Sequence, residues 1–177
     1  MTAGRPLAKR DIELLFGRLN AELVARDVRG QVYVVGGAVL CLVHAAREAT
    51  QDVDAYFMPA RELRAAAARV ALEAGVPEDW LNDGVKGFLS AQGTFSPYLQ
   101  LSHLTIHTAD AAYLLAMKCL SARIGEEFHD LDDIRFLLRC LNLTSLDGAR
   151  EVIGRYYPLE RFPQKTFYLL EDLLAGR

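Results

Sequence analysis

The sequence predicts an α/β chain of the α+β kind: an α/β core over residues 1–108, with an all-helical region over 109–177 packed on it. Three observations carry the prediction. Short β-branched, aromatic or alternating runs occur at Gln31–Val35, Thr50–Phe57 and Tyr98–Thr108, all in the first half. Apolar residues at three-four spacing fill stretches before and between them. From Asp110 onward that helical spacing is the only pattern left. With 177 residues, 51% hydrophobic and 24% charged, the chain is long and apolar enough for a substantial core. Its net charge of −3 gives no global attraction to nucleic acid and leaves only a local basic patch for such a partner.

Each element follows from a local pattern. Residues 7–26 carry Ile12, Leu15, Phe16, Leu19, Leu23 and Val24 on one helical face, with Arg10, Asp11, Glu13, Arg18 and Glu22 opposite. Asp27–Gly30 breaks this helix. Gln31–Val35 then reads as a strand ending in a tight turn at Gly36-Gly37. Residues 38–48 return to helical composition and are almost wholly apolar up to Ala46, so that helix should be buried. In Thr50–Phe57 the alternation sets Thr50, Asp52, Asp54 and Tyr56 on one side and Gln51, Val53, Ala55 and Phe57 on the other. Pro59 opens a helix to about Ala74, stopped by Gly75 with Pro77 beyond.

Glu78–Gly93 holds the single tryptophan, Trp80, and a turn-like Asn82-Asp83-Gly84. Tyr98–Thr108 alternates as one strand. Asp110 is placed to cap a helix through about Arg123, apolar nearly all round until Lys118. Gly125–Phe128 is a break, and Asp130 is expected to cap a helix to about Leu141 with Leu131, Ile134, Leu137, Leu138 and Leu141 inside. Two more helices are expected near 145–156 and 163–175. The three cysteines, Cys41, Cys119 and Cys140, sit in apolar helical contexts without CxxC spacing and read as buried free thiols in a reducing compartment. With no run near the ~18 apolar residues of a membrane span, the expectation is a cytoplasmic protein without membrane contact.

Two motifs carry chemistry. A Gly-Gly turn between a strand and a helix lets backbone N–H groups approach an anion closely, which here would hold nucleotide phosphates. The pair alone reads more readily as a tight turn with no ligand, and it matches neither the dinucleotide nor the P-loop fingerprint. Asp52 and Asp54, two apart on a strand, put both carboxylates on one face, where each resists ionising unless a cation sits between them. Mg²⁺ takes a few carboxylates plus phosphate oxygens and water. A DxD alone also fits a solvated strand edge. The two motifs together, a helix-length spacer apart, point to a site. Thr50, facing with the acids, and nearby Arg47 are candidate phosphate contacts.

The run GGAVLCLVHAAREATQDVDAYF resembles the hG[GS]…Dh[DE]h signature of the nucleotidyltransferase superfamily. More narrowly, Arg47, Ala49-Thr50, Asp52-Val53-Asp54-Ala55, WLND at Trp80–Asp83, LLAMK at Leu114–Lys118 and HDLDDI at His129–Ile134 are similar to uncharacterised bacterial relatives of the AbiEii/MenT nucleotidyltransferase toxins. The resemblance spans about Val32–Leu141. It implies a small mixed sheet flanked by helices, Mg²⁺ on Asp52 and Asp54, and a site completed by Lys118 with Asp130 or Asp133.

Lys118, ending an apolar helix, needs a negative partner if buried, and a triphosphate is one; snorkelling to the helix end serves as well. Asp130, Asp132 and Asp133 suit a helix first turn whatever the function, and of these Asp130 and Asp133 share a face. Many superfamily members carry a third acid on a later strand. YLQLSHLTIHT has none and offers His103 and His107, which on a strand are more often packed or half-exposed than ligands.

The expected activity is therefore Mg²⁺-dependent transfer of NMP from an NTP to an acceptor hydroxyl, which the resemblance alone implies to be on RNA, such as tRNA, or on protein. The resemblance extends this to a toxin paired with an antitoxin. The alternative is a nucleotide-binding or antitoxin-like module of the same fold without turnover.

Overall fold

The computed structural model describes residues 4–122 and 129–176. The break expected at Gly125–Phe128, and Arg123 as the end of its helix, lie outside the described residues. The chain is mixed α/β, and it divides into two compact units: Met1–Gly87 with Phe95–Ala109, and Phe88–Thr94 with Asp110–Arg177.

The first unit holds strands β1 (Leu7–Ala8), β2 (Gly30–Val34), β3 (Ala49–Thr50), β4 (Val53–Met58), β5 (Leu81–Asn82), β6 (Phe95–Gln100) and β7 (Leu104–Ala109), with helices α1 (Lys9–Ala25), α2 (Gly37–Leu42) and α3 (Ala60–Ala74). Five strands form one sheet in the order β5-β4-β2-β7-β6, and β1 pairs with β3 apart from it. The sheet is mixed: β2 runs antiparallel to β4 and parallel to β7, β4 parallel to β5, and β6 antiparallel to β7. One face is fully apolar, with Val32, Val34, Val53, Ala55, Phe57, Leu104 and Ile106 buried. It is packed under α1 and α3, which bury Ile12, Phe16, Leu19 and Leu23 and Leu63, Ala66, Ala67 and Val70. Gly30 marks the closest approach, since a Cβ there would lie 3.1 Å from methyl carbons of both Leu23 and Leu63. Trp80 closes the core, its Nε1 donating to Ala67 O at 3.1 Å.

Several expectations differ from the fold, beginning with Leu7–Ala8, expected in the first helix and found as strand β1. The helix expected over 38–48 ends at Leu42, because Ala45 turns the chain at φ 49° and sends Ala49–Thr50 to pair with Leu7–Ala8. That pairing also splits the expected strand Thr50–Phe57: Thr50 faces inward beside Leu7, and the alternation starts afresh at Val53. Tyr98–Thr108 is a hairpin rather than one strand, turning at Ser102-His103, where Leu101 N donates to Leu104 O and Asn20 caps the His103 N–H. Alternation continued through the turn, so period alone hid it. Val24, expected inside α1, is 45% exposed.

The second unit contains α4 (Ala111–Ser121), α5 (Asp130–Cys140), α6 (Leu146–Gly154) and α7 (Gln164–Ala175). Asp110 takes the N-cap position of α4, and Ser145 caps α6 through Gly148 N. His129, not Asp130, stands at the N-cap of α5, which frees the Asp130 carboxylate for another partner. Ile134, Leu137 and Leu138 are buried, while Leu131 and Leu141 are only half-buried. Tyr113, Tyr157, Phe162 and Phe167 supply the aromatic part of this core, Tyr157 donating to Phe88 O. All three cysteines are free, but Cys140 at the end of α5 is exposed rather than buried. Among the described residues no helix is long and apolar enough to cross a membrane.

Candidate functional site

The hydrophobic face of β2 fixes that strand in the middle of the sheet and delivers its end to Gly36-Gly37. Gly36 has φ 67° and ψ −151°, a conformation that residues with a Cβ avoid. A Cβ on it would also stand 3.3 Å from Asp54 Oδ2. The turn is tied to β4 by Val35 N donating to Asp54 O at 2.9 Å. At Gly37 a Cβ would meet an Arg47 guanidinium nitrogen at 2.7 Å and Thr50 Oγ1 at 3.2 Å. Thr50 Oγ1 in turn donates to Asp52 O at 3.2 Å. Gly36, Gly37, Arg47, Thr50, Asp52 and Asp54 thus come together in one place. The turn that shortens α2 is what carries Arg47 and Thr50 back to the glycines. With six residues, α2 contributes little dipole, so positive charge at the turn comes chiefly from Arg47.

On β4 the side chains alternate, with Val53, Ala55 and Phe57 buried and Asp54 and Tyr56 half-buried on the other face. Asp52 directly precedes the strand. Burial first, and the Asp54 charge second, push the Asp52 carboxyl up to about 6. A hydrogen bond from Asn82 opposes this, and the charge of Asp79 adds to it. The pair therefore resists ionising together, the condition a divalent cation relieves.

Neither Asn82 nor Asp79 is among the site residues that the sequence suggests, although Asn82 lies in WLND. The Asn82-Asp83-Gly84 stretch, read there as a turn, begins inside β5, whose two residues pair Val53 with Leu81 and Asp54 with Asn82. The Asn82 side-chain amide donates to Asp52 Oδ2 at 3.2 Å, and its Oδ1 accepts from Gly84 N at 3.2 Å. An amide thus stands across from Asp54, and β6 and β7 carry no acid. Beside it an open cleft of about 350 Å³ is lined by Phe57, Arg64, Glu78, Asp79, Asn82 and Asp83 among others. Lys86 and Arg64 both pair with Asp83 at 2.5 Å and hold its carboxyl below the usual range. The only sequence signal for this strand was WLND itself; a two-residue strand has no period to read.

In the second unit Lys118 Nζ lies 2.8 Å from Asp130 Oδ1 and 2.8 Å from Asp133 Oδ2, with the two carboxylates 5% and 4% exposed. The i,i+3 spacing puts both acids on one face, as expected, while Asp132 points outward to Arg135 at 2.9 Å. The lysine's charge is taken up within this unit by two buried acids.

Among the described residues no group of three or more His, Cys, Asp or Glu is arranged to hold a metal. A Mg²⁺ site of one or two carboxylates completed by substrate phosphates and water does not need one, and Asp52 with Asp54 fits that donor set. His107, on β7, has its imidazole pushed down by burial and is neutral at pH 7. Comparisons of the chain with models of protein families, with curated proteins and with solved structures find no match.

Proposed function

We propose that this chain is a Mg²⁺-dependent nucleotidyltransferase that moves NMP from an NTP to an acceptor hydroxyl. The observation that carries the reading is the contact of the Gly36-Gly37 turn with Asp54 on one side and with Arg47 and Thr50 on the other. Lacking side chains, the glycines let Asp54, Arg47 and Thr50 close in on the turn, which gathers acid, cation and hydroxyl in one place. Arg47 supplies a fixed positive charge there, and its planar donors suit phosphate oxygens. Asn82 fixes one oxygen of Asp52 through its amide. Asp52 and Asp54 would hold Mg²⁺, which supplies charge neutralisation and polarisation at the phosphate. Asp130 and Asp133 enter the site only through the resemblance, as do RNA, tRNA or protein as acceptor and pairing with an antitoxin. Lys118 enters through the resemblance and its need for a negative partner, and a cytoplasmic setting through the free thiols and the lack of a long apolar run in the sequence.

The second reading, a nucleotide-binding module of the same fold without turnover, is favoured by one observation: the later strands β6 and β7 carry no third carboxylate, and the residue paired with Asp54 on β5 is an amide, Asn82. Labelled NTPs incubated with total RNA and protein in Mg²⁺ separate the two. The transferase reading expects label that Asp52→Ala abolishes. Equal labelling by wild type and Asp52→Ala refutes it. Thermal shift with each NTP, with and without Mg²⁺, tests both at once: a specific ligand at ~100 Kd adds about 2.7 kcal/mol, and no Mg²⁺-dependent shift sinks both.

A further inference from the structure

On the sheet face that carries Asp54, three aromatic side chains from neighbouring strands form a ladder. Tyr33 lies opposite Tyr56 on one side and opposite His107 on the other. The Tyr33 and His107 rings stack at 4.8 Å and 28°, and Tyr33 and Tyr56 lie 6.2 Å apart at 37°. Phe95 meets the Tyr33 edge at 5.2 Å, and the Tyr33 hydroxyl donates to Gln31 Oε1 at 2.8 Å. Tyr33 thus has a ring neighbour on both sides along the row, whereas Tyr56 is the end of the row. β5 stops at Asn82, opposite Asp54, so no strand residue faces Tyr56 on its outer side. Among the described residues the Tyr56 ring has Tyr33 as its aromatic neighbour, and its hydroxyl has no hydrogen-bond partner.

We infer that Tyr56 is the stacking platform for the base of the nucleotide whose phosphates sit at Gly36-Gly37 and Asp54; the inference rests on the reading given under Proposed function. Tyr56 is two residues from Asp54 on the same face, about 7 Å along the strand, which is the scale separating a nucleotide's phosphate from its base. A base laid on the outer Tyr56 face extends a ladder whose inner members are already packed, so the platform is rigid before the ligand arrives. Aromatic stacking accepts any base, because every base has a π-face. The neutral His107 ring and the absence of an acid on β7 keep that stretch of the face free of charge that a base would desolvate.

The test compares binding of Mg²⁺ NTPs, Mg²⁺ tripolyphosphate and a short single-stranded RNA to the full chain and to its Tyr56→Leu and Tyr56→Phe variants. Wild type is expected to bind NTPs more tightly than tripolyphosphate. Tyr56→Leu should lose about tenfold for NTPs, with tripolyphosphate unchanged and Tyr56→Phe near wild type. Unchanged NTP affinity in Tyr56→Leu, or equal loss for both ligands, overturns the inference. Weakening of the RNA alone overturns it too, by giving the ring to an acceptor strand. Failure of wild type to bind either NTP or tripolyphosphate instead removes the underlying reading. Should Tyr56→Leu not fold, an NTP-induced ring-current shift of the wild-type Tyr56 resonances, not produced by tripolyphosphate, decides the matter, and its absence counts against stacking.

Discussion

Gly36→Ala is the substitution on which the site geometry makes its sharpest demand. The residue sits at φ 67°, ψ −151°, and an added Cβ would be 3.3 Å from Asp54 Oδ2 and 3.8 Å from Asp54 Cβ. A residue forced into such a sparsely populated region costs about 1–3 kcal/mol. The contact adds to it, since Asp54 must yield by a few tenths of an ångström while Val35 N keeps its backbone on the turn. A loss of about 2 kcal/mol is expected, a large share of a stability of roughly 5–15 kcal/mol. In urea, with a slope of about 2 kcal/mol/M, the midpoint should fall by about 1 M. Trp80, fully buried in the same unit, reports the transition by fluorescence. Gly17→Ala provides a control of opposite sign. Gly17 lies inside α1 with nothing within 4 Å of an added methyl, so alanine there should add about 1 kcal/mol. Equal midpoints for Gly36→Ala and wild type would refute the strained turn and with it the close approach of Asp54.

Other consequences follow from charge and burial around the site and beyond it. Because the folded Asp52 carboxyl is raised to about 6 from 3.8, the native state binds the extra proton between those values, so this group makes stability fall as pH rises from about 4 to 6. Asp52→Asn should flatten that slope and gain on the order of 1–2 kcal/mol at pH 7, the full shift being reduced by solvent screening of a half-buried group; urea midpoints measured across the window check both. Asn82→Ala removes the bond that opposes the shift and should move the Asp52 titration upward, followed by carboxyl-carbon NMR. Lys118→Met leaves Asp130 and Asp133 buried without their cation and should cost about 3–5 kcal/mol in urea unfolding; neutralising both acids in the same chain should restore most of it. Of the thiols, Cys140 should react with a disulfide reagent in the native protein, and Cys41 and Cys119 only on unfolding.

The large elements were legible because their periods were long. α1, α3 and the helices from Asp110 onward each bury a face for several turns, and β2 and β4 carry alternation that burial reproduces. What escaped was set by contacts between distant segments. Leu7–Ala8 reads as the start of a helix until Ala49–Thr50 offers it a partner, and Leu81–Asn82 is a strand only because β4 lies beside it. The same holds within the site. Gly36, Gly37, Asp52 and Asp54 were visible as motifs, and Arg47 and Thr50 as neighbours in sequence. The link between Asn82 and Asp52 spans 30 positions, which no local spacing encodes.

The energetics of the acid pair bear on why a charge is kept there at all. Asp52 is half-buried, faces a second carboxylate and feels a third, and its carboxyl resists ionising as a result. An asparagine at 52 would fill the same space and remove the repulsion, so packing alone gives no reason for an acid. The hydrogen bond from Asn82 stabilises the ionised form against that repulsion, which is wasted effort for a merely structural side chain. A local rule broken at a stability cost, beside a strained glycine and an arginine, is where a functional site is expected. The consequence is testable without any turnover. Mg²⁺ should stabilise the wild-type chain at pH 7 and lower the apparent Asp52 titration, because it binds the ionised pair. Asp52→Asn, although more stable without metal, should lose the Mg²⁺ response. If wild type and Asp52→Asn respond to Mg²⁺ alike, the carboxylate pair holds no cation and the proposed chemistry has no metal to work with.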